Sequence, residues 1–220
     1  DAVTFFRGEV AQRTVLRNRA DIYGLALSLA RARDFDAAEK ELSSIRGAPN
    51  PWLLNLAAEI QVGKRNWPEA IKQYRAGMLA YPQDRALFYG YIDTLYEAGQ
   101  VDVALMQLNE RLKNVTDDPR TYELAAKGYE RQNKRLAQHR AIAEAYFRKG
   151  NLLGAVEQME IAVKAKDGDF YEVSSAESRL RELKLAFRNR PLMPGEKKDS
   201  PRDRDDDRET RPLAGRAARG

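Results

Sequence analysis

Apolar positions along the middle of the chain recur with a helical period, not a strand period. In LFYGYIDTLYEAGQ, Phe88, Tyr91, Ile92 and Leu95 fall on one helix face, and the run stops at Gly99. IYGLALSLARARD, LLNLAAEIQVGKRN and HRAIAEAYFRKGN have the same shape, and each is followed by a second amphipathic segment: DFDAAEKELSSI, NWPEAIKQYRAG, QVDVALMQLNER or NLLGAVEQMEIA. Aligned on Ala38, Ala70, Ala104 and Ala155, these second segments lie 32, 34 and 51 residues apart, and the last step is one and a half times 34. An apolar residue stands three positions before each alanine (Phe35, Trp67, Val101, Leu152) and another four after it (Leu42, Tyr74, Leu108, Met159). Small residues at Ala26, Ala58 and Ala143 in the first segments let the paired helix approach closely.

The punctuation agrees with a unit of helix, tight turn, helix. GAPNP, AYPQD and TDDP separate the units, and Asn50-Pro51 and Asp118-Pro119 suit an N-cap followed by the first helical residue. Asn66 with Glu69 has the spacing of a capping box, Pro68 falls in the first turn where its missing N–H costs nothing, and Pro82 follows the helix end. The units lie near 19–48, 51–82, 85–116 and 119–149, and the last overlaps a further hairpin at 135–167, so one helix serves two neighbours. Residues 2–18 read as a basic helix with Arg13 and Arg17 on one face. Between 169 and 190, Val173, Ala176, Leu180, Leu183 and Phe187 form one apolar stripe, as a helix covering the end of the stack requires, and Glu177 with Arg181 adds an exposed pair. The expectation is an ordered all-α domain over 1–190, an α-solenoid of antiparallel helix hairpins with a C-terminal capping helix. The dense mixed charge of 191–220 predicts a disordered tail. An irregular helical bundle is the alternative architecture.

Composition narrows the chemistry. The chain has 220 residues, 43% hydrophobic and 32% charged, and charged residues interrupt every apolar run short of a membrane span. It begins at Asp1 and not at Met, which reads as a mature form or a piece of a longer protein. There is no cysteine and a single histidine, so thiol catalysis is excluded, and neither a three-ligand zinc centre nor any other cofactor site is expected in this chain. His139, beside Arg140 on a helix, reads as a surface residue, the alternative being a catalytic base. The absence of thiols fits an oxidising compartment. The formal charge of +5 is diffuse, with eight Lys and Arg against seven Asp and Glu from Pro191 onward and 30 against 26 before it. No basic stripe of the kind that binds nucleic acid is present, so proteins are the expected partners.

The period and the alanine-centred pattern resemble the tetratricopeptide repeat family. That resemblance implies a stack whose first helices line a concave, protein-binding face. Spacing by three, four and three selects that face: Ala20, Tyr23, Leu27 and Ala30; Trp52, Asn55, Glu59 and Val62; Ala86, Tyr89, Asp93 and Tyr96; Arg120, Glu123, Lys127 and Glu130. Aromatic and polar residues mix along it, as in a groove for a peptide or a protein, although Tyr89 and Tyr96 could equally pack on the next repeat. Family members that clamp a C-terminal carboxylate use Lys, Asn and Arg on this face. Here Tyr23, Leu27, Asn55, Glu59 and Tyr89 hold the matching positions, and only Asn55 is of that type.

A second resemblance spans most of the ordered chain. IYGLALSLARARDFDAAEKEL, PWLLNLAAEI and AIAEAYFRKGNLLGAVEQMEIAVKAKDGDFYEVSSAESRLRELKLAF look like the C-terminal repeat region of the β-barrel assembly-enhancing proteases, periplasmic zinc metallopeptidases. The resemblance implies a non-catalytic domain that binds outer-membrane β-barrel clients, the barrel assembly machinery or its own protease domain, with zinc held in that protease domain. H-E-x-x-H does not occur in this chain, so no catalytic residue carries over, and the charged tail departs from the pattern. A free-standing adaptor with no enzyme attached is the alternative reading.

Overall fold

The computed structural model describes residues 1–12, 19–115 and 117–190. They form α1 (Ala2–Gln12), α2 (Arg19–Arg31), α3 (Phe35–Ser43), α4 (Pro51–Gly63), α5 (Trp67–Ala80), α6 (Arg85–Glu97), α7 (Val101–Asn114), α8 (Pro119–Arg131), α9 (Arg135–Arg148), α10 (Leu152–Lys164) and α11 (Phe170–Asn189), with no strand among the described residues. The first helix is described only to Gln12. Arg13 and Arg17, and the tail expected to be disordered, lie outside the described residues.

Each hairpin turns through one residue in the left-handed region, two positions before the second helix starts. These residues are Arg33 (φ 64°), Arg65 (φ 58°), Gly99 (φ 74°), Asn133 (φ 57°) and Gly150 (φ 78°). The last two are half a repeat apart, which locates the overlap: Asn133 turns α8 into α9, and Gly150 turns α9 into α10. Helix α9 accordingly packs along both neighbours.

The aligned alanines mark the crossing points of the paired helices. Ala38, Ala70, Ala104 and Ala155 all have zero exposure, as do Ala26, Ala58 and Ala143 on the facing helices. At such points a methyl group is all the space allows. Tyr74, Leu108 and Met159 fill the next turn and are likewise buried. Helices α2, α4, α6 and α8 lie side by side as an inner layer, while α3, α5 and α7 each pack on their own partner and on the next inner helix. Three apolar clusters run along the stack: one joins α1 through α4, a large central one extends from Ala58 to Ala141, and one joins α9, α10 and α11.

Helix starts follow the sequence except at one place. The Asn50 side chain accepts from the Leu53 N–H at 2.9 Å, and Asp118 accepts from the Arg120 N–H at 3.1 Å. Asn66 occupies the N-cap of α5, but the expected capping box does not form. Its amide turns back to donate to the Gln61 side chain, and Glu69 accepts from Gln73 and Lys72 instead. Gln61 is 5% exposed, so a buried amide takes the group that would otherwise have capped the helix. A complete capping box forms at α11, where Asp169 and Glu172 satisfy each other's backbone N–H groups. That helix buries Ala176 and Leu183 against α10 and closes the stack.

Candidate functional site

The inner face is assembled from one stripe on each of the neighbouring helices α2, α4, α6 and α8, and bonds between α6 and α8 tie their two stripes together. Lys127 on α8 donates to Asp93 on α6 at 3.0 Å, and Arg120 stands 3.8 Å from the same carboxylate. Arg120 also pairs with Glu123 at 3.3 Å, and Glu123 in turn meets Lys149 at the end of α9. The hydrogen bond from Lys149, aided by Arg120 and opposed by partial burial, holds the Glu123 carboxyl below its ordinary value. This half of the face is a chain of alternating charges that compensate one another.

Tyr89 belongs to the same half but is only half-buried. Its hydroxyl donates to the Asp118 carboxylate, which also accepts from the Thr121 hydroxyl at 2.7 Å. Burial and the neighbouring carboxylate push the Tyr89 hydroxyl up to about 12. Burial by itself would raise Asp118, but the hydrogen bonds from Tyr89, Thr121 and the Arg120 N–H outweigh it and keep the group ionised below its usual range. The network clamps the N-terminal half of α6 to the start of α8.

The other half of the face is apolar with one acid. Tyr23 and Leu27 on α2 are partly exposed, Ala30 continues the stripe, and Val62 lies at the far end of α4. Glu59 is exposed and accepts from Asn55 one turn earlier at 2.6 Å. Burial first, and the nearby Glu59 second, raise the Tyr23 hydroxyl. Trp52, at the start of the α4 stripe, is 71% exposed. An indole this exposed at the head of an apolar stripe is free to meet a partner.

Tyr96 is a correction to the sequence reading. It is 3% exposed, its hydroxyl donates to the Leu124 carbonyl at 2.6 Å, and a Cβ added at Gly128 would lie 2.4 Å from that oxygen. Lys127 and Arg131 lie over its ring at 5.4 and 4.9 Å. The ring therefore belongs to the core between α6 and α8, and the surface above it is made by the two cations. The spacing that selected it is right for the face, but glycine at 128 lets α8 approach closely enough to cover it.

A cleft of about 940 Å³ lies among the outer helix α7 and helices α8, α9 and α11. Met106, Leu112, Tyr122 and Tyr129 line it, and one wall is an ion network centred on Glu144. Arg179 donates to Glu144 at 2.7 Å, Arg148 pairs with the same carboxylate, and the two guanidiniums lie over Phe147 and Tyr122 at 4.8 and 4.2 Å. Burial opposes ionisation of Glu144, but the two arginines prevail and hold its carboxyl below the ordinary value.

The imidazole of His139 makes a 2.8 Å hydrogen bond to Gln158, and among the described residues no group of three or more His, Cys, Asp or Glu could hold a metal.

Comparison with known proteins agrees with this geometry. The tetratricopeptide repeat family profile matches residues 55–119. The β-barrel assembly-enhancing proteases of Escherichia coli (strain K12) and Shigella flexneri are each 30% identical over 156 residues, which is 70% of this chain and 32% of those proteins. The chain thus spans about a third of the length of the curated relatives it matches. The solved structure of the MamA RS-1 ArsTM double mutant superposes with a TM-score of 0.50 at 14% identity, covering 85% of this chain and 97% of that one. The fold is an all-α tetratricopeptide-repeat solenoid, an architecture built for protein–protein contacts. No described helix is long and apolar enough to cross a membrane.

Proposed function

We propose that this chain is the non-catalytic docking domain of a periplasmic zinc metallopeptidase that acts in the assembly and quality control of outer-membrane β-barrel proteins. The observation that carries the reading is the 30% identity over 156 residues to the β-barrel assembly-enhancing protease. The inner face supplies a physical means. Tyr23, Leu27 and Trp52 offer apolar contact, Asn55 and Glu59 offer a donor and acceptor pair, and Asp93, Glu123, Lys127 and the half-buried Tyr89 continue as a polar floor. Such a surface suits an extended or partly folded polypeptide with mixed aromatic and polar side chains. Zinc and the hydrolytic groups would belong to a separate peptidase domain. The contribution of this chain is positioning, since a client held on a tethered face is present at the protease at a high effective concentration.

The test is binding of the purified chain to purified β-barrel assembly components and, separately, to a urea-denatured outer-membrane β-barrel protein diluted from denaturant. The reading expects saturable binding to at least one, weakened about tenfold or more by Trp52→Ala combined with Asn55→Ala. Absence of binding to both would overturn it in favour of an adaptor serving other partners.

A further inference from the structure

Charges on the inner face are not evenly neutralised. Asp93 on α6 meets Lys127 at 3.0 Å and Arg120 at 3.8 Å, while Glu123 on α8 meets Arg120 at 3.3 Å and also Lys149. These cations belong to α8 and the end of α9, and α6 stands between α8 and α4 in the inner layer. Glu59 on α4 is left out of the arrangement. It is exposed and forms no ion pair among the described residues. Its hydrogen-bond partner is neutral, the Asn55 amide at 2.6 Å.

The surroundings of Glu59 are apolar and short of positive charge. Helices α2 and α4 pack directly, and the Tyr23 hydroxyl on α2 is raised by burial first and by Glu59 second. Arg31, at the end of α2, acts on that hydroxyl in the opposite direction and less strongly than Glu59. The Tyr74 hydroxyl reaches α6, where a Cβ added at Gly90 would lie 2.4 Å away, and burial, then Glu59, then Asp93 raise it. Both charges acting there are acids. Other cations of the adjoining helices are engaged elsewhere: Lys64 pairs with Asp36 and Glu39, both at 2.6 Å, and Arg75 donates to the Tyr91 hydroxyl at 3.0 Å. Around the acid, Tyr23 and Leu27 are half-exposed, and Trp52, 71% exposed, stands two turns earlier on the same face of α4.

We propose that Glu59 selects the partner segment: the part of a polypeptide that lies on the α2–α4 half carries a lysine or arginine next to an apolar or aromatic side chain. The cation meets the Glu59 carboxylate, its aliphatic stem lies on Tyr23 and Leu27, and the adjoining apolar side chain covers Trp52. This rests on the reading that the inner face holds a polypeptide, and it adds which segment of that polypeptide the face prefers. A neutral segment laid over Glu59 would strip water from a carboxylate that keeps only the Asn55 amide in exchange. An acidic segment would meet Glu59 with no cation paired to it. The α6–α8 half imposes no such choice, because Asp93 and Glu123 already have their cations.

The experiment measures fluorescence anisotropy of labelled peptides with the full 220-residue chain. Each peptide has a Gly-Ser background and one variable position between a phenylalanine and a leucine, holding lysine, arginine, glutamine or glutamate. The lysine and arginine peptides should bind about tenfold or more tighter than the glutamate peptide, with glutamine between them. Glu59→Lys should reverse that order and Glu59→Gln should abolish it, while Trp52→Ala should weaken all four peptides. Glu157→Lys, the same charge change at an exposed site on α10, should leave the order as it was. Urea unfolding establishes that each variant is folded, and Glu59→Gln carries the test should Glu59→Lys fail to fold. Binding that depends on Trp52 but not on the variable charge would overturn the proposal and leave the docking reading standing. So would an order that survives both Glu59 variants, or an order that Glu157→Lys reverses equally. Binding of a urea-denatured β-barrel client with none of the peptides captured would also overturn it. Capture of neither the peptides, the client nor the assembly components would remove the docking reading itself.

Discussion

Three aromatic residues on the inner stripes should separate by stability alone. Tyr96 is 3% exposed, packed beneath Lys127 and Arg131, and bonded to the Leu124 carbonyl, so Tyr96→Ala leaves a large cavity and should cost about 3–5 kcal/mol. Tyr96→Phe keeps the ring and its two cations and loses one hydrogen bond, for about 0.5–1.5 kcal/mol. Tyr89→Ala removes a half-buried ring and a bond to an ionised carboxylate that keeps its Thr121 and Arg120 partners, and should fall between, at about 1–3 kcal/mol. Trp52, 71% exposed, should cost under about 0.5 kcal/mol on conversion to alanine. Urea denaturation at one pH and salt concentration, followed by circular dichroism, reads all four from midpoint shifts. If Trp52→Ala is as destabilising as Tyr96→Ala, Trp52 is a packing residue and the inner face loses its main anchor. If Tyr96→Ala is neutral, the burial of that ring between α6 and α8 is wrong.

Other expectations follow from the turns, the cap and the ion network. Arg65 holds φ 58° without the freedom of glycine, so Arg65→Gly should stabilise by about 0.5–1 kcal/mol, while Gly99→Ala at φ 74° should destabilise by about 1–2 kcal/mol, both read as melting-temperature shifts. Leu183 is 1% exposed under the cap, and Leu183→Ala should cost about 2–5 kcal/mol in urea unfolding; removing everything after Lys166 should bare the α10 face and cause aggregation seen by light scattering. Because the Glu144 carboxyl is depressed in the folded state, its contribution is present above the ordinary glutamate range and is lost as pH falls through its folded value. Glu144→Gln should therefore destabilise by about 1–3 kcal/mol near pH 7, and the difference should shrink as pH falls through the depressed folded value of Glu144, measured by urea unfolding over a descending pH series.

The regular part of the fold was legible because each hairpin repeats the same local problem. An alanine must stand where two helices cross, and the residue four later must fill the next turn, so Ala38, Ala70, Ala104 and Ala155 align without any knowledge of the structure. The alignment skips one hairpin for a physical reason. The turn at Asn133 places Gln138 where the others have alanine, because α9 must fit both α8 and α10 and has no single partner to approach. Local capping was less readable. Asn66 and Glu69 have the right spacing, but a buried Gln61, close in space and five residues earlier, competes for the amide. On the inner face the period chose the correct stripe and could not tell Trp52 from Tyr96, since exposure depends on the residue opposite, here Gly128. The outer cleft and the Glu144 network join residues more than thirty positions apart and depend on how α11 lies against α9, which no local pattern encodes.

The central claim is that a polypeptide partner lies on the inner face of the stack, and site-specific photocrosslinking tests it most directly. A benzophenone amino acid would be placed singly at Trp52 and Asn55 on the inner face, and at Leu79 and Met106 on the outer helices, where both are exposed. Each variant is irradiated with the same purified β-barrel client or assembly component. The account predicts adducts from positions 52 and 55, competed by unlabelled chain, and little or none from 79 and 106. Adducts confined to 79 or 106 would contradict it and move the docking surface to the outer side.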